Sequence, residues 1–322
     1  MFDKFLLLLG EHYNQKAPNY WVDERSGKAT HIRLFYPLGQ VSIDTKNRLK
    51  RIVERLIEDD PSHVVTGTYT STNIDSWPHI LLLTIADRED SAPSVMLNFS
   101  NPQHVLVIGQ KEPEDSVLVT LNETLSLLTP LFIFASGRVI CESLATNQVT
   151  EMVVRNIVYT LGHPNLSREL GGDVEAKMCV GKSPQTSLEV DLLERLNMYY
   201  EYGQSIEELT NQLKTRPHVV AVVDGTIVAA ARANAIGPKM AVVGGVYTKP
   251  NQRKKGLGYL VSQELTRYLL KLGKEVCLET DVNNFPAQRI YTQLGYQPVG
   301  GSMFLERGST MIKDDIIGDR GY

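Results

Sequence analysis

Two short stretches concentrate the residue types that could do chemistry in this chain. The first is "VYTKPNQRKKGLGYLVSQEL" (residues 246–265), in which Arg253, Lys254 and Lys255 lead into Gly256, Leu257 and Gly258 and then into a helical pattern. A helix N-terminus leaves backbone N–H groups without intrahelical partners and carries a partial positive charge. Glycines at such an end let the backbone approach a ligand closely and adopt positive φ. Three cations beside it suit an anion such as a pyrophosphate, although the spacing is neither that of a P-loop nor that of a dinucleotide fingerprint. A basic turn that merely starts a helix is the plainer alternative.

The second stretch is "NFPAQRIYTQLGY", in which Asn284, Ala287 and Tyr291 fall on one helical face and Gly295-Tyr296 follows. Asn284 suits a bond to a ligand amide and also a helix N-cap. Tyr291 offers a proton at a reacting centre, or only an aromatic surface. Just upstream, Glu279 and Asp281 end the strand-like "EVCLETD" and share a face if that strand alternates. They are candidate general bases, a solvated pair, or a device that orders the following loop. Gly244 and Gly245 in "VVGGVYT" fit a bulge or a close backbone approach, or relief of crowding. Tyr199, Tyr200 and Tyr202 beside Glu201 would rim a pocket for a small cationic amine, or pack half-buried.

These residues need elements to hold them. From Val174 onward the pattern predicts a strand at "VEAKMCV", a helix through Leu188 to Tyr200, and another from Ser205, whose spacing to Glu208 matches a capping box. "HVVAVVDGTIVAAARANAIGPKMAVVGGVYT" predicts three strands joined at Asp224-Gly225 and Gly237-Pro238. A helix from Leu257 that Gly273 can close, the strand "EVCLETD", a helix through "FPAQRIYTQL" and a pair of strands near "YQPV" and "SMFLER" complete this half.

The first half reads similarly but carries no comparable chemistry. A helix is expected from Thr45 to Ile57, then strands at "SHVVTGTYT", "HILLLTIAD", "SVMLNFS" and "HVLVIGQ". A helix at "SVLVTLNETLSLL", the strand "LFIFAS" and a helix around 151–157 follow. Hydrophobic periodicity lapses in "LGHPNLSRELGGD", which places a linker at 162–173 between domains 1–161 and 174–308, with 309–322 as a tail.

The segment 174–307 resembles the GNAT superfamily of acyl-CoA-dependent N-acyltransferases. The resemblance rests on Arg253-x-x-Gly256-x-Gly258 as its pyrophosphate loop and on Asn284-x-x-Ala287-x-x-x-Tyr291 with Gly295-Tyr296 as its second motif. It implies an α+β fold: two GNAT-like domains, each a mostly antiparallel mixed sheet flanked by helices, the N-terminal one degenerate. It further implies N-acetyl transfer from acetyl-CoA to a primary amine by direct attack. Val246, Tyr247 and Thr248 would align the pantetheine, Arg253 to Gly258 would hold the pyrophosphate, and Tyr291 would protonate the leaving thiolate. A non-catalytic acyl-CoA sensor would keep the same binding residues. In the first half "KEPEDSVLV" has acids where that loop should supply bases, so no CoA is expected there.

Composition narrows the setting. A formal charge of −4 over 322 residues, with acids and bases interspersed, gives no nucleic-acid footprint. Cys141, Cys179 and Cys277 lie far apart without metal-ligand spacing, which fits a reducing, cytoplasmic environment and small buried side chains. The apolar run Phe5 to Leu9 is too short to span a bilayer, so no membrane role is expected. His218 and the other histidines show no ligand pattern and are expected at surfaces or strand edges. Expected partners are acetyl-CoA, an amine acceptor and, with the first half as an interaction module, a second copy in a homodimer.

Overall fold

The computed structural model describes residues 2–25, 28–76, 79–148, 152–167, 175–179 and 216–307. They form two compact units: unit 1 runs to Val158 and resumes at Val299, and unit 2 runs from Tyr159 to Pro298.

Unit 1 begins with α1 (Asp3–His12), whose Phe2, Phe5 and Leu9 side are buried. Phe5 packs edge-on against Phe99 at 5.2 Å, an arrangement favoured by the ring quadrupoles. The strands β1 (Asn14–Ala17), β2 (Tyr20–Asp23) and β3 (Thr30–Phe35) follow, then α2 (Ile43–Asp59) and α3 (Val64–Ser76). Next come β4 (Leu81–Ala86), β5 (Val95–Asn101), β6 (His104–Gly109), α4 (Asp115–Leu128), β7 (Phe132–Ser136), α5 (Arg138–Asn147) and β8 (Met152–Leu161). From β1 to β6 each strand pairs antiparallel with the next, and β6 pairs parallel with β7. One face of this sheet buries Ile32, Leu83, Leu97 and Val107 with α1, α4 and α5; Leu82, Met96 and Ile108 pack with α2 on the other.

Unit 2 holds β9 (Glu175–Cys179), β10 (His218–Val223), β11 (Thr226–Ile236), β12 (Met240–Thr248), α6 (Leu257–Lys271), β13 (Glu275–Asp281) and α7 (Phe285–Leu294). Strands β9 to β12 pair antiparallel in sequence order, and β12 pairs parallel with β13. Helix α6 lies on β10, β11 and β12, burying Val261, Leu265 and Leu269 over the alanines of β11. The last strand, β14 (Tyr296–Glu306), gives its first residues to unit 2, and its Ser302–Glu306 pair with β7 in unit 1. The fold is thus α+β, mostly antiparallel, and both units repeat one arrangement: antiparallel strands, a crossover helix, and a parallel neighbour.

Three expected elements differ. "SHVVTGTYT" is not a strand but runs from a short 3-10 turn at Pro61–His63 into α3. Two of the threonines that suggested a strand satisfy their hydroxyls within the helix, Thr68 donating to Val64 O at 2.6 Å and Thr70 to Thr66 O at 3.0 Å. Gly67 lets α3 lie against α2, since a Cβ there would stand 2.6 Å from Ile57 Cδ1. The helix expected around 151–157 is the strand β8, in keeping with its β-branched Val153, Val154, Ile157 and Val158. The final pair of strands is a single one: Gly300 and Gly301 do not turn the chain, and a Cβ on Gly300 would stand 2.4 Å from Ser62 Cβ. Strands β1 to β3 had no sequence expectation. The helices expected through Leu188 to Tyr200 and from Ser205 lie outside the described residues.

Replacing Gly67 by Val is expected to lower the unfolding free energy by roughly 1–3 kcal/mol through overpacking, and adding Ile57→Ala to recover part of it. Urea denaturation followed by circular dichroism checks this; a neutral Gly67→Val would remove the α2–α3 contact as the reason for the helix.

Candidate functional site

The site is built where β12 and β13 part. Their parallel register runs from Met240 opposite Glu275 to Val243 opposite Leu278 and goes no further, although β12 continues to Thr248 and β13 to Asp281. The β11–β12 register slips between Ala230–Tyr247 and Arg232–Gly244, placing an extra residue in β12. Gly245 there has φ of +57°, and a Cβ on it would stand 2.8 Å from Arg232 Cγ. The bulge therefore requires glycine for both backbone conformation and space. It bends β12 where Val246, Tyr247 and Thr248 leave the neighbourhood of β13.

A short 3-10 turn, Pro250–Gln252, then leads to Arg253, Lys254 and Lys255, all exposed. Arg253 folds back, its Nε donating to Thr248 O at 3.1 Å and its guanidinium 5.9 Å from the Tyr247 ring centre. Lys255 Nζ donates to Gln252 Oε1 at 2.8 Å. Gly256 is left-handed, φ +80°, and serves as the N-cap of α6 without a side-chain cap bond. The first intrahelical N–H donation to it is from Leu260, which leaves the amides of Leu257, Gly258 and Tyr259 outside the helical ladder. Gly258 keeps this turn close to its neighbours: a Cβ would stand 3.2 Å from Ile290 Cδ1 and 3.4 Å from Thr248 Oγ1. These features fit a phosphate-bearing ligand with an extended arm: a helix N-terminus without a side-chain cap beside cations, and a strand that pairs with β11 but leaves the β13 register after Val243.

On the other side of the fork Glu279 and Asp281 are half-buried and alternate with buried Leu278 and Thr280. Asp281 orders the turn into α7, its Oδ1 accepting from Asn283 N at 2.6 Å and its carbonyl from Asn284 N at 3.0 Å. Asn284 is the N-cap of α7, its Oδ1 accepting from Ala287 N at 3.3 Å. Tyr291 is buried, 6 % exposed, in a cluster of three tyrosines, with ring centres 6.2 Å from Tyr159 and 6.1 Å from Tyr296. Burial, and then Tyr159, push its phenol well above the usual range, so it stays protonated. Gly295 caps α7 at φ +94°, and a Cβ would collide with His163 O at 1.9 Å. Residues 162–165 lie against this end, Asn165 N donating to Leu294 O at 3.0 Å, while Tyr259 Oη donates to Asn165 O at 2.9 Å.

The structure brings Val246 to Thr248, Arg253 to Gly258, and Asn284 with Tyr291 into one unit. Sequence reasoning missed the pair Arg232 and Asn234, whose side chains bond to each other at 3.0 Å and cover Gly244 and Gly245. Their signal was available: two polar residues two apart in the alanine-rich "AARANAI" share one strand face. Tyr199, Tyr200, Tyr202 and Glu201 lie outside the described residues.

The matching position in unit 1 is filled from within. The β6–β7 register ends at Val107 opposite Ala135. His63, fully buried, bonds through Nδ1 to Ser136 Oγ at 2.7 Å, and a Cβ on Gly137 would stand 2.7 Å from its Cε1. Helix α4 has Glu114 as its N-cap and Asp115 in its first turn, anions where unit 2 has cations. Among the described residues no metal-binding cluster occurs, and no helix is long and apolar enough to cross a membrane.

Comparison with known proteins supplies a family context for unit 2. Residues 189–296 match the model of the acetyltransferase (GNAT) family. A tandem GNAT protein from the clavulanic acid biosynthesis pathway is similar in fold at TM-score 0.58 and 13% identity, covering 88% of this chain and 100% of its own. A GCN5-related N-acetyltransferase from Sphaerobacter thermophilus is similar at TM-score 0.59 and 13% identity, covering 88% and 98%. Another from Kribbella flavida gives TM-score 0.55 and 16% identity, covering 78% and 96%. No curated protein sequence matches the chain significantly. The fold is that of tandem GNAT proteins, and the family match of residues 189–296 supports acyl transfer in general.

The histidines correct the sequence expectation, since His63 and His218 are interior rather than at surfaces. His218, 1 % exposed, donates from Nδ1 to Arg216 O at 2.9 Å. Burial pushes its pKa from 6.5 down to about 4, and burial lowers that of His63 too. His218 is therefore neutral when folded until the pH approaches 4, so the unfolded chain binds more protons below pH 6.5, and His63 acts in the same direction. The His218 contribution to stability is therefore expected to be full above that pH and to fall by about 1 kcal/mol per pH unit toward pH 4. Denaturation midpoints between pH 7 and 4.5 check this, and His218→Gln should flatten the slope.

Proposed function

We propose, from the match of residues 189–296 to the GNAT acetyltransferase family, that unit 2 transfers an acetyl group from acetyl-CoA to a primary amine by direct attack. The observation that carries this reading is the departure of β12 from β13 after Val243 and Leu278, next to the uncapped N-terminus of α6. The first-turn amides of α6 with Arg253, Lys254 and Lys255 hold the pyrophosphate, and Gly256 and Gly258 admit it to the backbone. Val246, Tyr247 and Thr248 pair along the pantetheine arm, as a strand edge pairs with an added strand. Asn284 caps α7 and orients the tyrosine cluster that follows. When bound, acetyl-CoA supplies the activated thioester carbonyl.

The remaining chemistry falls to this chain. An N–H of β12 polarises the carbonyl oxygen as negative charge develops on it. The attacking amine must be neutral, and Glu279 or Asp281 takes its proton, directly or through water. The Tyr291 phenol, kept protonated by its burial, donates to the departing sulfur. Unit 1 is not expected to bind CoA, because His63 and Ser136 fill the end of its parallel pair and the start of α4 carries Glu114 and Asp115 in place of cations and glycines. The reaction belongs to the cytoplasm, where acetyl-CoA and reduced cysteines occur together.

A second reading, a non-catalytic acyl-CoA sensor, draws on the engagement of Asp281 in its own turn. The two separate by kinetics. Calorimetry is expected to find one CoA site per chain, and an amine panel to include an acceptor that releases thiol from acetyl-CoA; absence of CoA binding at about 1 mM, a weak KM by enzyme standards, overturns both readings. Arg253→Glu with Lys255→Glu should raise KM for acetyl-CoA by about tenfold or more with kcat little changed. Tyr291→Phe should lower kcat by roughly 10- to 100-fold while CoA affinity stays constant. Tight CoA binding with no thiol release from any amine extract supports the sensor instead.

A further inference from the structure

Unit 1 contains a cavity of about 420 Å³ between the N-terminal half of α2 and the outer strands β2, β3 and β4. It arises because the outward-alternating residues of β3, His31, Arg33 and Phe35, face the α2 side of the sheet, while the buried residues of α2 cover mainly β4 to β6. Its size falls within the range of about 300–1,000 Å³ for small-molecule sites, far more than an inorganic anion fills.

Its floor is pre-organised. Arg33 donates from Nη2 to Glu89 O at 2.8 Å, and its guanidinium stands 5.2 Å from the Tyr20 ring centre. Tyr20 Oη bonds to His31 Nδ1 at 2.7 Å, and the two rings stack at 6.0 Å. The guanidinium is thus held in place at the cavity wall, where its planar fork matches a planar acceptor. Arg48, exposed on α2, lines the same cavity, and its neighbours Leu49 and Ile52 are anchored in the α2 core cluster. Glu89 is the only carboxylate among the described lining residues, set against the two guanidinium groups of Arg33 and Arg48. The local charge is therefore positive on one side, with Leu49, Ile52 and Phe35 apolar on the other.

We propose that this cavity binds a small amphipathic carboxylate, its carboxylate between Arg33 and Arg48 and its ring or short chain against Leu49, Ile52 and Phe35. A bidentate guanidinium–carboxylate pair supplies orientation, and the apolar wall supplies the remaining contact. The site is separate from the fork of unit 2 and independent of the acyl-transfer reading.

The test uses the full chain with 3-phenylpropanoate, its charge-inverted counterpart 3-phenylpropylamine, and inorganic phosphate, followed by calorimetry and thermal shift. Binding of 3-phenylpropanoate is expected at about 1 mM or below, and weaker by about tenfold or more in Arg48→Glu, an exposed change that leaves folding intact by circular dichroism. Arg33→Gln is the second variant and should have the same effect. Equal binding of the amine, equal binding of phosphate, an unchanged Arg48→Glu, displacement of 3-phenylpropanoate by CoA, or no binding at all each overturns the proposal.

Discussion

A parallel pair of strands cannot be joined by a tight turn; the chain must cross over, and a helix is the usual means. In unit 2 that crossover is α6, between β12 and β13. This connection has a chemical consequence before any side chain is chosen. The N-terminus of the helix must lie near the end of the strand it leaves, so amides outside the helical ladder and a positive dipole end stand beside the last residues of β12. Once the parallel register stops at Val243 and Leu278, those last residues also leave their neighbour. An anion site and a strand edge then adjoin, as a ligand with a phosphate end and an extended amide-bearing arm requires. The Gly245 bulge sharpens the departure, and Gly256 and Gly258 set the distance of the helix.

Unit 1 separates what topology supplies from what side chains decide. It has the same parallel pair, β6 and β7, joined by α4, and the same early end of register at Val107 and Ala135. What differs is local. The His63 ring occupies the space beside Ser136 and Gly137, and the first turn of α4 carries Asp115 after a Glu114 cap. A buried histidine kept neutral is an expensive plug unless its nitrogens are satisfied, and the Ser136 hydroxyl meets one of them. The fold can therefore persist with this space filled, because the hydrophobic faces that stabilise it do not pass through the fork.

The elements that carry the candidate site were legible where its motifs are local in sequence. Arg253 to Gly258 and Asn284 to Tyr296 each span one turn or one helix, so their spacing alone fixes which residues share a face. Long-range packing was less legible. The threonines of α3 favour a strand by propensity, and only the close approach of α2 at Gly67 and the internal bonds of Thr68 and Thr70 explain the helix. Gly300 and Gly301 read as a turn because glycine serves both turns and close approaches, and Ser62, over 200 positions away in sequence, decides between them. The covering of Gly244 and Gly245 by Arg232 and Asn234 depends on the register of β11 against β12, which no single-strand pattern encodes.

The path of β14 also bears on why a closed unit is kept. Its Ser302–Glu306 are the antiparallel partner of β7, and Met303 and Leu305 are buried in the unit 1 core. Phe304 stacks on Phe132 at 5.6 Å, and Arg307 Nη1 donates to Leu125 O at 2.8 Å. A chain ending near residue 161 would lack this strand, leaving β7 with an open edge and its core with missing contacts. Such an edge invites pairing with other chains, so self-association of an isolated first half would report an exposed β7 rather than a native dimer surface. Unit 1 is thus built from both ends of the sequence, and the segment that completes it begins three residues after Tyr296 of the second motif. The strand that follows Tyr296 thus needs β7 to pair with, which ties the second half of the sequence to the core of unit 1.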